Sequence, residues 1–173
     1  EGLSRFKLSN EQNVIVTPKY GRIKMSEDRN FTFSGRVEAG NFEFSGSGFE
    51  FDYEDFLIAL NSVDNMHIRA EIDGEIGIDG KPRTRLVRNS IDGITGTLEI
   101  DDPSNRSGWK SKFYSHYPVL NSEGPSYVYY DSQSIHKGAY HRNRFRYALE
   151  PFEIDSLDNY VKADMRFKGE LLA

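Results

Sequence analysis

Arg142, Arg144 and Arg146 alternate with Asn143, Phe145 and Tyr147. Successive strand side chains point to opposite faces, so this spacing predicts a stripe of three guanidiniums. A planar guanidinium pairs with carboxylate or phosphate through two parallel hydrogen bonds, so the chemistry on offer is capture of an anionic partner such as a phosphate or an acidic glycan. A second group lies in Ser126-Tyr127-Val128-Tyr129-Tyr130-Asp131. Tyr127 and Tyr129 share a strand face there, and Trp109 stands in the loop before them. Exposed Tyr and Trp offer a flat apolar face with a polar tip, which suits stacking on sugars. Trp109, Tyr127, Tyr129, Arg142, Arg144 and Arg146 are therefore the candidate ligand-binding residues. Each has a plainer reading. Tyrosines pack one face of a sheet, and charged faces such as Glu50/Asp52/Glu54, Lys81/Arg83/Arg85 and Arg142/Arg144/Arg146 pair across strands for a few tenths to about 1 kcal/mol each.

Catalytic chemistry finds less support. The four histidines, His67, His116, His136 and His141, match no zinc spacing and no His-Glu-x-x-His motif. The sequence has no Cys, which removes disulfides, thiolate metal sites and cysteine nucleophiles together. No Gly-x-Ser-x-Gly elbow or phosphate-binding glycine loop occurs. Glycoside hydrolysis needs two carboxylates across a cleft. Asp52, Asp55, Asp101 and Asp102 are the obvious names, although with 27 acids some pair always looks suitable. The Ile-Asp-Gly triplets at 72–74, 78–80 and 91–93 place Asp73, Glu75 and Asp79 close together, but in no calcium-loop pattern. The expectation is no catalytic residue, no metal and no cofactor.

The bulk numbers frame that expectation. The 173 residues suit one domain, 1–173, able to bury a core without staples. Twelve Phe and ten Tyr supply core area that the 37% hydrophobic fraction understates. A net charge of −5 argues against a nucleic-acid partner. No apolar run reaches the length of a spanning helix, so no transmembrane segment is expected. The chain starts at Glu1 rather than Met, which reads as a piece excised from a longer protein.

The elements that must position these residues are strands. Phe31-Thr32-Phe33-Ser34-Gly35, Phe42-Glu43-Phe44-Ser45-Gly46 and Phe49-Glu50-Phe51-Asp52-Tyr53 repeat an aromatic at every second position. Phe33, Phe42, Phe44, Phe49 and Phe51 should form one apolar face. Strands are expected at 14–17, 21–25, 31–37, 41–45, 49–53, 66–72, 83–87, 94–100, 126–130, 144–149 and 163–172. Gly46-Ser47-Gly48 reads as a turn between two of them, and the Ile-Asp-Gly triplets as strand ends. Glu54–Asn61 fits a short helix or a strand, the strand being favoured by Phe56, Ile58 and Leu60 on one face. A turn-rich loop is expected over 101–125.

The stretches Arg36–Phe44, Phe49–Tyr53, Ser126–Asp131 and Pro151–Asp158 resemble long uncharacterised cell-envelope proteins of the Bacteroidetes phylum, over most of the chain after Gly21. More faintly, the strand–turn–strand rhythm looks like the stacked-strand bridges of lipopolysaccharide transport and of AsmA-like lipid carriers, which implies an open β-roll with an apolar groove. The resulting expectation is an all-β domain of short successive strands in an elongated stacked or rolled sheet, β-helix or β-roll-like, with a β-sandwich as alternative. Its expected role is a non-catalytic structural or binding module of a larger periplasmic, outer-membrane-associated or secreted protein. Alternatives are a lipid-carrying bridge, a carbohydrate-binding module or a glycoside hydrolase. Expected partners are neighbouring domains of the parent chain and a lipid or glycan.

Overall fold

The computed structural model describes residues 5–87, 89–106, 110, 112–161 and 164–173. Trp109, Arg88 and the start of the expected 163–172 strand lie outside these residues. About half of the described residues are in strands, and none is in a helix of seven residues or more. The strands are β1 (Phe6–Lys7), β2 (Val14–Met25), β3 (Phe31–Ala39), β4 (Phe42–Asp52), β5 (Leu57–Leu60), β6 (Ser62–Ile76) and β7 (Pro82–Leu86). They continue as β8 (Ile91–Asp92), β9 (Gly96–Glu99), β10 (Val119–Ser122), β11 (Ser126–Tyr129), β12 (Arg146–Leu149), β13 (Glu153–Ile154) and β14 (Gly169–Leu172). All fourteen join one antiparallel sheet, curled into a half-barrel. It is a single sheet, not the pair of facing sheets that a sandwich would need.

The topology is a meander of long passes, several of them broken in the middle. β5 and β6 follow one another along β4, with Asp52 opposite Leu57 and Ser47 opposite Ser62. β8 and β9 run beside them, then β10 and β11, then β13 and β12. The breaks line up across the sheet. Register slips between Pro18 and Ile23 in β2, between Phe33 and Gly35 in β3, and between Ser45 and Gly46 in β4. Further along, the seam continues through Asn61, Gly93–Thr95, Glu123–Pro125 and Glu150–Phe152, which separate the paired short strands. Such bulges bend strands and raise their twist, so a row of them curls the sheet. Two glycines make the bends sterically possible. A Cβ at Gly46 would collide with the Ser62 carbonyl oxygen, and one at Gly96 with that of Asn121.

Glycine therefore acts inside strands here, and several expectations change. Gly46-Ser47-Gly48 is not a turn but a kink within β4, because β3 and β6 keep hydrogen-bonding on its two sides. Ile72-Asp73-Gly74 likewise lies within β6 and ends nothing. The other two triplets do mark a hairpin tip and the end of β8. Leu57–Leu60 is a strand, as favoured, after a turn that places Phe56 at φ 52°. The expected 101–125 loop contains β10, paired with both β9 and β13.

The concave face holds the core. Phe42, Phe44 and Phe49 are 1%, 0% and 0% exposed, with Phe33 and Phe51 nearly as deep. Phe31 stacks on Phe51 at 4.6 Å and Phe33 meets Phe49 at 5.3 Å. Each such ring is worth about 1.5–3 kcal/mol by burial alone. The five phenylalanines belong to one packed cluster: Val14, Val37, Ile58, Leu60, Met66, Ile94, Leu98 and Leu120 fill the space around them. The 155–160 segment closes one end, with Leu157 fully buried and Tyr160 meeting Phe42 at 4.9 Å.

A buried polar hub ties the chain's irregular segments together. Asp101 is 1% exposed. Its carboxylate accepts from the Ser9 hydroxyl (3.4 Å), the Gln12 amide (3.4 Å), the Asn105 amide (2.8 Å) and the Asp102 backbone N–H (2.8 Å). The same two amides donate onward to the carbonyls of Tyr114 (2.9 Å) and Lys112 (3.0 Å). A buried carboxylate is tolerable when its lone pairs are filled in this way.

Candidate functional site

The convex face of β11 and β12 gathers four of the six nominated binding residues. The register sets Tyr127 opposite Ala148 and Tyr129 opposite Arg146. Ser126 and Leu149 are buried on the core side, so period two turns Tyr127, Tyr129 and Arg146 outward together. The two tyrosine rings lie 6.1 Å apart. The Arg146 guanidinium sits over Tyr127 at 5.6 Å, the diagonal neighbour across the strand pair. Arg142 reaches back from the turn before β12 and covers Tyr129 at 4.5 Å. The result is a double layer in which guanidiniums rest on phenol rings.

Hydrogen bonds fix the two arginines. Arg142 donates through Nε to Asp131 at 2.7 Å. Arg146 donates through Nη1 to the carbonyls of Arg142 and Asn143 at 3.4 and 3.3 Å. The bond from Arg142 holds the Asp131 carboxyl below the usual carboxylate range, and Asp131 in turn raises the Arg142 guanidinium. Both groups are ionised across the neutral range. Arg142 remains 55% exposed in its side chain, so the pair is open to exchange with a ligand carboxylate or to screening by salt. Behind the stack, the 131–145 connection is held by rings: Tyr130 meets Phe145 at 5.5 Å, Phe145 meets Tyr140 at 4.7 Å, and His136 meets Tyr140 at 5.6 Å.

Two nominated residues fall elsewhere. Residues 142–144 form a turn, with the N–H groups of Arg144 and Phe145 both bonded to the His141 carbonyl, so the alternation expected of a strand begins only at Arg146. Arg144 consequently leaves the stripe. Trp109 lies outside the described residues. The sequence reading missed Asp131, the orienting partner, although it ends the quoted tyrosine strand. The signal was available: from His136 to Tyr147 there are bases and no acids, and Asp131 is the acid just before that run.

A second concavity, about 910 Å³, opens between the β2–β3 turn, the β4–β5 turn and the segment after β9. Tyr53 stands in it with Arg29 5.0 Å and Arg106 5.7 Å from its ring, and Arg106 also meets Glu54 at 3.5 Å. Its walls mix Glu27, Asp28 and Glu54 with Arg29, Arg106 and Lys110, so it has no single charge.

The carboxylates named for hydrolysis serve local structure. Asp52 caps the Asp55 N–H at 2.9 Å, and Asp102 caps the Ser104 N–H at 2.9 Å while also accepting from the Ser104 hydroxyl, the bond that chiefly lowers the Asp102 carboxyl. Asp101 is the buried hub. Among the described residues, the carboxyl raised by burial is Asp158, half-buried beside Asn13 in the fold's closed end and not among the residues lining the Tyr53 cleft. Among the described residues, no group of three or more His, Asp or Glu is placed to hold a metal ion, and no helix is long and apolar enough to cross a membrane. No family model, curated protein or solved structure matches the chain significantly.

Proposed function

We propose that this domain is a non-catalytic binding module of a larger envelope or secreted protein, and that its Tyr127/Tyr129/Arg142/Arg146 face takes an acidic glycan. The observation that carries this reading is the convergence of two phenol rings and two guanidiniums on one partly exposed patch. A uronic or otherwise anionic sugar offers the matching pair of features, an apolar C–H face for stacking and a carboxylate for the guanidinium fork. Asp131 orients Arg142 in the free state and yields to the ligand's carboxylate in the complex. The lipid-carrying bridge has weaker support, since Phe42, Phe44 and Phe49 have almost no surface left for a ligand. A stacked, elongated assembly with neighbouring domains and a periplasmic or outer-membrane-associated setting belong to the same proposal.

Titration calorimetry with acidic and neutral oligosaccharides of equal length tests it. The expected result is binding of the acidic series alone, weakened about tenfold or more by Arg142→Ala or Tyr129→Ala, in line with loss of a charge-assisted contact. Equal binding of neutral sugars, or binding indifferent to both substitutions, would sink the reading.

A further inference from the structure

Two stretches of sheet edge carry opposite charge. On one side, β2 pairs with β3 over Val14–Pro18 and Ile23–Met25, with Lys19–Arg22 bulging between, and among the described residues its other edge meets only β1, opposite Val16 and Ile15. From Thr17 to Met25 that edge has no strand partner among the described residues. It carries Lys19, Arg22 and Lys24 and no acid. On the other side, β6 outruns β4, whose pairing stops at Phe42 opposite Ile68. Beyond that point, among the described residues, β6 has only β7 beside it, and Ala70–Ile76 leaves an edge open. This second edge carries Glu71, Asp73 and Glu75 and no base. Among the described residues, Lys19, Arg22, Lys24, Glu71 and Asp73 form no ion pair.

Apolar side chains accompany both. Ile23 and Met25 lie opposite Phe33 and Phe31, on the core-facing side, yet Met25 is 65% exposed. Ala70 is buried on the core side, Ile72 follows in the same alternation, and Ile76 is 71% exposed. β7 is exposed throughout and, among the described residues, pairs only with β6, and an isolated two-stranded hairpin is marginal in water.

Like charges repel along each edge, which blocks β2 from pairing with another β2 and β6 with another β6. The opposite signs leave one combination favourable. We propose that the β6 edge of one molecule adds to the β2 edge of a second copy, head to tail. Glu71 and Asp73 then face Arg22 and Lys24 on one side of the joined sheet, and Ile72 faces Ile23 or Met25 on the other. The contact is heterologous, so it propagates into a ring or a filament and does not stop at a symmetric dimer. The β6 strand bulges after Glu71, where five residues of β6 span two of β7, which keeps the paired stretch short and the association reversible.

Sedimentation velocity on the 173-residue chain over a concentration series provides the test. The wild type should associate with rising concentration, and added salt should weaken that association. Glu71→Lys with Asp73→Lys, and separately Arg22→Glu with Lys24→Glu, should each weaken association about tenfold or more by replacing attraction with repulsion. All four positions are exposed, and circular dichroism should confirm an unchanged fold. Mixing the two double variants should restore association, since each then meets an edge of opposite sign. A wild type that stays monomeric throughout, association that survives both reversals, or a mixture that fails to associate would each overturn the proposal, as would association lost only on substituting the exposed Leu171 of β14, the strand that ends the sheet beside β12.

Discussion

The 14–70 part of the sheet and the 119–172 part are built differently. β2, β3, β4 and β6 are 12, 9, 11 and 15 residues long, and up to Pro18 in β2 and Ala70 in β6 their inward side chains are almost all buried. β10, β11, β12 and β14 are four residues each, and much of β11 and β12 is only half-buried. The long-stranded part holds the aromatic core and almost no free functional surface on its concave side. The short-stranded part adds little core but displays Tyr127, Tyr129, Arg142 and Arg146 outward. A rigid aromatic scaffold thus carries a small polar face on strands that need only be held in register, a common division between stability and recognition.

Substitutions on the two parts should therefore separate. Phe44→Ala, at the centre of the packed face, should lower unfolding free energy by about 3–5 kcal/mol in urea denaturation and leave the convex face's ligand specificity unchanged in whatever fraction stays folded. The closed end gives the next largest effect. Burial pushes the Tyr160 hydroxyl up to about 12. Its folded-state value lies above the unfolded one, so its contribution is complete below about pH 10 and is lost as pH rises from there to about 12. The loss amounts to about 2–3 kcal/mol and should vanish in Tyr160→Phe measured by alkaline unfolding. Asp101→Ala strips the hub of its acceptor and leaves buried amides short of a partner, for a loss of about 1–3 kcal/mol, checked by the same denaturation series. Tyr129→Ala and Arg142→Ala on the short-stranded part should move stability by no more than about 1 kcal/mol while weakening ligand binding about tenfold or more. The smallest effect belongs to Asp131. Its folded value lies below the ordinary one, so its stabilisation is present above the usual carboxylate range and is lost as pH falls through the folded value, a loss that salt should erase because the pair is exposed.

The contrast also explains what could be read from the sequence. Aromatic alternation revealed the all-β class and the inward face, because burial on one side imposes period two directly on residue type. It did not reveal strand length. Gly35, Gly46 and Gly96 look like chain-reversing glycines, yet they sit where neighbouring backbone approaches too closely for a Cβ, a constraint visible only once strands are paired. Very short strands such as β8 and β13 were invisible for the opposite reason, since two residues carry no period. At the site, Tyr127, Tyr129 and Arg146 were legible from alternation. Arg144 lies in the 142–144 turn, outside the alternation that starts two residues later at Arg146, and Asp131 was overlooked because its role comes from the return of the 131–145 connection onto β11.

The central claim is that the tyrosine–arginine face is where the ligand binds. Mapping backbone amide shifts by NMR during titration with an acidic oligosaccharide tests it most directly. The account predicts changes concentrated at Tyr127–Asp131 and Arg142–Arg146. Changes centred on the Tyr53 cleft or on the concave face, or none at saturating ligand, would contradict it.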